Sequence, residues 1–108
     1  MGDPAGVGPE VCLMLLQRAA EVIPSAQPVI FGDRGLLQRI AEITGLPMPD
    51  EDAIRHIPSL PDSNSVVRGK VDAACGQAAY DYLTTAIESA LAGDIDAIVT
   101  APINKEAL

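Results

Sequence analysis

Residues 1–22, MGDPAGVGPEVCLMLLQRAAEV, decide how the rest of the chain is read. Glycines at 2, 6 and 8 punctuate a loop, and from Pro9 onward Val11, Cys12, Leu15, Leu16, Ala19, Val22 and Ile23 recur at helical spacing. Glu10, Gln17, Arg18 and Glu21 take the other side. The spacing predicts an amphipathic helix. Pro9 suits its first turn, where no backbone N–H is needed and φ is already helical, and Pro24 stops it. A glycine loop that runs into a helix ordinarily caps the end of a β-strand, so a strand is expected before Gly2. The N–H groups and positive dipole at the helix start would attract a phosphate or carboxylate.

Working outward, PVIFGD at 28–33 holds an unbroken Val29, Ile30 and Phe31 between Pro28 and Gly32, which reads as a short buried strand. Asp33 is placed to cap a second helix carrying Leu36, Leu37, Ile40 and Ile43, which Gly45 and Pro47 end. From Leu46 to Lys70 the pattern breaks, with prolines at 47, 49, 58 and 61 and the acidic trio Asp50, Glu51 and Asp52. Only AIRHI, 53–57, could be extended, so this excursion is expected to hold at most one edge strand. From Val71 a long helix resumes, with Cys75, Ala79, Tyr82, Ala86 and Ala90 on one stripe and Gln77, Asp81, Thr84 and Glu88 opposite. Gly93 closes it. Ile95–Thr100 reads as a second strand, Pro102 breaks it, and Asn104–Leu108 looks like the start of another helix.

This alternation is that of an α/β protein whose parallel strands are covered by helices. Two strands, at 29–31 and 95–100, leave both sheet edges unpaired and the faces half covered. The chain is therefore expected to be the opening section of a larger domain, prone to association through its edges.

Composition narrows the function classes. With 108 residues, 48% hydrophobic, the chain can build one modest core. Its net charge of −8, with no basic cluster, argues against nucleic acid and anionic membrane as partners. No apolar run reaches bilayer length and no signal-peptide pattern opens the chain, so a cytoplasmic location is expected. Cys12 and Cys75 have no CxxC spacing and read as buried free thiols.

Two loops could carry chemistry. GDPAGVGPE fails the dinucleotide fingerprint because Val11 stands where a third glycine belongs, and no GK[ST] follows. An anion cradle involving Gly6 and Gly8 stands beside a plain tight turn. RGKV at 68–71 is no phosphate loop either, since Val71 replaces the Ser/Thr. Within the first loop Asp3 could reach a ligand or could hold an Asx-turn. TAPINK at 100–105 follows the carboxyl end of an expected parallel strand, where open α/β sheets bind ligands. There Asn104 could form hydrogen bonds, and Lys105 could meet a phosphate or carboxylate as a point charge, or both could sit at a solvated helix start. His56, the single histidine, reads as a surface residue, and neither a multi-histidine metal site nor a Ser/His/Asp triad can be assembled.

Together, MGDPAGVGPEV, PVIFGD, GKVDAACGQAAYDYLTTAI and GDIDAIVTAPINKEAL, in that order, resemble the N-terminal third of the 4-hydroxythreonine-4-phosphate dehydrogenase family of pyridoxal 5′-phosphate biosynthesis. Relatives acting on threonate or erythronate 4-phosphate share these segments. The resemblance implies a two-domain α/β homodimer of the isocitrate and isopropylmalate dehydrogenase type, its active site in a cleft shared by both subunits. It implies NAD and a divalent metal (Zn, Mg or Co), oxidation of the secondary alcohol of 4-phosphohydroxy-L-threonine, and loss of carbon dioxide from the β-keto acid. Metal suits such chemistry because it stabilises negative charge developing on oxygen.

The family's metal-binding histidines and its phosphate-binding lysine, asparagine and arginine map to no residue here. What carries over is the glycine loop, with Asp3, Gly6 and Gly8, and the PINK loop, with Asn104 and Lys105, both bordering the cleft. In the resembling enzymes a short apolar strand runs into the glycine loop, so Met1 is expected to be an internal residue or a late start. The chain alone is expected to be inactive. A rival of another class is a truncated, non-catalytic module that binds a small anion or pairs with another chain.

Overall fold

The computed structural model describes residues 1–107. Helix α1 spans Gly8–Val22, strand β1 Ile30–Gly32, helix α2 Arg34–Thr44, strand β2 Ile54–His56 and helix α3 Ala73–Leu91. Single turns of 3-10 helix lie at Glu51–Ala53 and Ser63–Ser65. The strands pair in parallel, with Ile30 opposite Ile54, Phe31 opposite Arg55 and Gly32 opposite His56.

The helix boundaries follow local chemistry. In α1, proline occupies the first turn and no side chain caps the start. Asp33, extended at the N-cap of α2, accepts the Leu36 N–H at 2.8 Å, and Gly45 ends that helix in the left-handed conformation at φ 76°. Asp72 caps α3 in the same manner, accepting the Ala74 N–H at 2.8 Å, so the helix begins at Ala73 rather than Val71. Four residues of the predicted core stripe of α3, Cys75, Ala79, Tyr82 and Ala86, are buried, and the fifth, Ala90, is half-buried.

The core forms where α1 and α2 pack together, α3 lies against β1, and Leu13, Ile30, Leu36, Leu37, Ile40, Ile54, Val66 and Cys75 meet. Arg39 ties the excursion to α2, donating to the carbonyls of Ser63 at 3.1 Å and Val66 at 2.8 Å. Ser59 Oγ donates to the Asp81 carboxylate, which also accepts from Gln77 Nε2 at 2.9 Å. The proline-rich excursion is thereby fastened to both α2 and α3.

Three expectations are corrected. First, the second strand of the sheet is Ile54–His56, the edge strand foreseen in the excursion, while Ile95–Thr100 is no strand. A β-rich run becomes a strand only where a neighbour answers its N–H and C=O groups, and none lies along 95–100 among the described residues; Val99 is 94% exposed. Second, α1 does not bury its expected face. Leu13 is fully buried with Cys12 and Leu16 half-buried beside it, whereas Val11, Leu15 and Val22 are exposed. The apolar sector of this helix is broader than the face that meets α2, so contact with α2 rather than periodicity selects the inward side. Third, β1 runs from Ile30 to Gly32, one residue later than expected. At the chain's end, residues 105–107 form a turn, and the last position of the expected helix lies outside the described residues.

Candidate active-site rim

Three segments distant in sequence converge around the glycine loop. The Asp3 N–H donates to the Pro102 carbonyl at 3.0 Å, and the Gly69 N–H donates to the Ala5 carbonyl at 2.6 Å. Arg68 forms an ion pair with Glu10 in the first turn of α1. The loop thus lies between the segment after Thr100 and the segment before α3.

Glycine is required here for close approach as well as for backbone conformation. Gly2 sits at φ 73°, and a Cβ there would lie 2.6 Å from the Pro102 oxygen. A Cβ on Gly8 would overlap the Met1 carbonyl oxygen and sit 3.3 Å from the Ala101 side chain. Gly8 is buried, so its role is packing between Met1 and Ala101; Gly6 is half-buried and rests on Asp3.

Asp3 is 6% exposed. One carboxylate oxygen accepts the Ala5 N–H at 2.9 Å, and its carbonyl accepts the Gly6 N–H at 3.0 Å, which makes the segment an Asx-turn closed by its own side chain. Asn104 acts likewise at the second loop: its Oδ1 accepts the Glu106 N–H at 3.0 Å, and its carbonyl accepts the Ala107 N–H at 3.2 Å. Lys105 is exposed and forms no ion pair among the described residues. The structure therefore joins the two candidate loops, gives Asp3 and Asn104 to backbone turns, and leaves Lys105 exposed in the second loop without an ion pair among the described residues. Arg68 and Gly69 were missed as members of this rim. The dismissed RGKV stretch offered one signal, a glycine between two basic residues, and Gly69 does take φ 82°.

At the carboxyl ends of β1 and β2 a second, shallow cleft is lined by Asp33, Arg34, Gln38, His56, Pro58 and Ser63. His56 is exposed, and its Nδ1 accepts the Arg34 backbone N–H at 3.0 Å, capping α2 together with Asp33. Both cysteines are free. Burial pushes both thiols up, assisted at Cys75 by the carboxylates of Asp72 and Asp3. Inert thiols suit packing rather than nucleophilic chemistry. Among the described residues no group of three or more His, Cys, Asp or Glu side chains could hold a metal ion, so the residues present do not fit a metal centre. No helix described is long and apolar enough to cross a membrane.

Comparison with known proteins bears on the family and the fold. A family model for the pyridoxal phosphate biosynthetic protein PdxA matches residues 24–108. A protein of Symbiobacterium thermophilum, provisionally assigned as a D-threonate 4-phosphate dehydrogenase, is 37% identical over 100% of this chain and 36% of its own length. The 4-hydroxythreonine-4-phosphate dehydrogenase of Burkholderia vietnamiensis is 39% identical over 99% of this chain and 33% of its own. The crystal structure of a 4-hydroxythreonine-4-phosphate dehydrogenase from Burkholderia phymatum superposes with a TM-score of 0.87 at 38% identity, over 99% of this chain and 36% of that one. These likenesses place the fold among α/β proteins similar to solved structures named 4-hydroxythreonine-4-phosphate dehydrogenases. Within that class, the chain belongs to the PdxA family, whose model spans most of it. It covers about a third of the length of the curated relatives it matches.

Proposed function

We propose that this sequence supplies the amino-terminal part of a cytoplasmic, homodimeric dehydrogenase that oxidises 4-phosphohydroxy-L-threonine in vitamin B6 biosynthesis, using NAD and a divalent metal. In that reaction a hydride leaves the secondary alcohol for NAD⁺ and the hydroxyl loses its proton; the resulting β-keto acid then releases carbon dioxide. The observation that carries the reading is the Asp3–Pro102 hydrogen bond, which joins both family-like loops, the second of which carries the exposed Lys105, in no ion pair among the described residues. An exposed cation on a loop bonded to the glycine loop suits a substrate that carries both phosphate and carboxylate. The described residues form no metal cluster, so the metal ligands of this reading lie outside them. The two-domain arrangement of the isocitrate and isopropylmalate dehydrogenases belongs to the same proposal.

One observation favours a second substrate within the same reaction class. Seven of the similar relatives, from Symbiobacterium, Oceanobacillus, Cutibacterium, Fusobacterium and three strains of Clostridium botulinum, carry the provisional D-threonate 4-phosphate assignment. The two compounds share the four-carbon skeleton, the carboxylate and the phosphate, so both suit the same rim.

The test is NADH formation by the whole protein with each substrate and added divalent metal. Turnover of 4-phosphohydroxy-L-threonine is expected, preference for D-threonate 4-phosphate would select the second reading, and no turnover of either would overturn both. The 108-residue chain by itself is expected to be inactive. Metal-dependent NADH production by it would refute that expectation.

A further inference from the structure

We infer that Arg68 is a positioning residue for the anionic substrate of the reaction proposed above. It neutralises Glu10 in the first turn of α1, so that the glycine loop meets a phosphate or carboxylate without an unpaired acid behind it. The inference rests on that reading of the rim. Helix α1 opens with no side-chain cap, and Glu10 is the one acid of its first turn. An acid at this place ordinarily answers the positive end of its own helix. Here the carboxylate is engaged by the Arg68 guanidinium instead, and the paired oxygen is shut off from solvent with no other partner among the described residues. Asp3, the acid within the loop itself, is turned inward: it is buried, and its side-chain oxygen accepts the Ala5 N–H at 2.9 Å. Glu10 is therefore the acid whose charge the loop would show to an approaching anion, and Arg68 is the cation that cancels it.

The segment that carries Arg68 is held in place without it. Val66 is buried, and its carbonyl accepts from Arg39 of α2 at 2.8 Å. The Gly69 N–H donates to the Ala5 carbonyl at 2.6 Å, and the Lys70 N–H closes the turn on the Val67 carbonyl at 3.1 Å, with Gly69 at φ 82°. Bonds to the main chain on both sides of Arg68 fix this strap, so the guanidinium adds charge rather than architecture. Removing that charge leaves a shielded carboxylate uncancelled beside the glycine loop. Its repulsion acts on the binding of an anion and little on the steps that follow, because substrate and transition state carry the phosphate and carboxylate alike.

The test compares Arg68→Gln, Arg68→Lys, Glu10→Gln and the double variant Arg68→Gln/Glu10→Gln in the whole protein, by NADH formation from whichever phosphorylated hydroxy acid the parent turns over. Arg68→Gln is expected to raise KM about three- to tenfold with kcat within about twofold, and the ratio to the parent should shrink in about 0.5 M salt. Arg68→Lys keeps the charge and should keep KM near the parent value. Glu10→Gln should lower KM, and the double variant should return it to within about twofold of the parent. An Arg68→Gln loss confined to kcat, a KM increase that Glu10→Gln does not reverse, or one that salt leaves untouched would overturn the inference while the proposed reaction stands. If Arg68→Gln does not fold, Glu10→Gln decides alone: a lowered KM supports the inference and a raised one overturns it. A parent that turns over neither substrate would overturn the reaction and this inference with it.

Discussion

The backbone N–H of Asp3 donates to the carbonyl of Pro102 at 3.0 Å, joining the first loop of the chain to its last. The Asp3 carboxylate holds the turn that aims this N–H by accepting from Ala5 at 2.9 Å. Asp3→Ala leaves a buried N–H unanswered and is expected to cost about 1–3 kcal/mol in urea denaturation. Asp3→Asn keeps the acceptor oxygen and should recover most of the loss. An alanine variant as stable as the parent would show that the carboxylate does not hold the turn.

Two glycines separate close packing from backbone strain. At Gly8 a methyl group would overlap the Met1 carbonyl, which is backbone and cannot swing aside as a side chain would, so Gly8→Ala should cost at least about 2 kcal/mol. Gly45 lies in open space at φ 76°, and Gly45→Ala should cost only the left-handed strain, about 1 kcal/mol. The order of the two denaturation midpoints is the check.

Gly76 sits inside α3, where alanine favours the helix by about 1 kcal/mol. Its Cβ would nevertheless overlap the Ala107 carbonyl, so Gly76→Ala should preserve helicity by circular dichroism while displacing the turn at 104–107. Trypsin would then cut after Lys105 faster than in the parent. An unchanged cutting rate would mean that the turn is not docked on α3.

Tyr82 is 2% exposed and its hydroxyl has no hydrogen-bond partner among the described residues. Burial pushes its ionisation well up from 10.0, aided by Asp33, Cys75 and Asp81. The unfolded chain loses the phenolic proton near pH 10 while the folded chain keeps it, so this stabilisation is complete below pH 10 and is lost as pH rises beyond. Cys75 adds a decline of the same sign above about pH 9. Tyr82→Phe should flatten the limb above pH 10, leaving the part due to Cys75 and Cys12. At neutral pH the change should be neutral or stabilising by about 1 kcal/mol, because an unanswered buried hydroxyl is removed. Denaturation midpoints from pH 7 to 11 test both statements.

Local chemistry was legible in the sequence wherever one residue settles one backbone question. Pro9 opens α1, Asp33 caps α2, Gly45 ends it, and the Cys75–Ala86 stripe faces the core, all as residue type and spacing require. The two rim loops were legible for the same reason, since glycines and a proline constrain the backbone in which they stand. Tertiary structure decided what depends on a partner. It turned Leu13 of α1 inward and left Val11 and Leu15 outside, because a helix whose apolar sector is broader than its contact takes its buried face from its neighbour. It made a strand of Ile54–His56 and none of Ile95–Thr100, because strand propensity acts only where a second backbone completes the ladder. It also brought Asp3 to Pro102 and Gly69 to Ala5 through main-chain bonds, and such contacts between peptide groups leave no mark in the identity of the side chains that carry them.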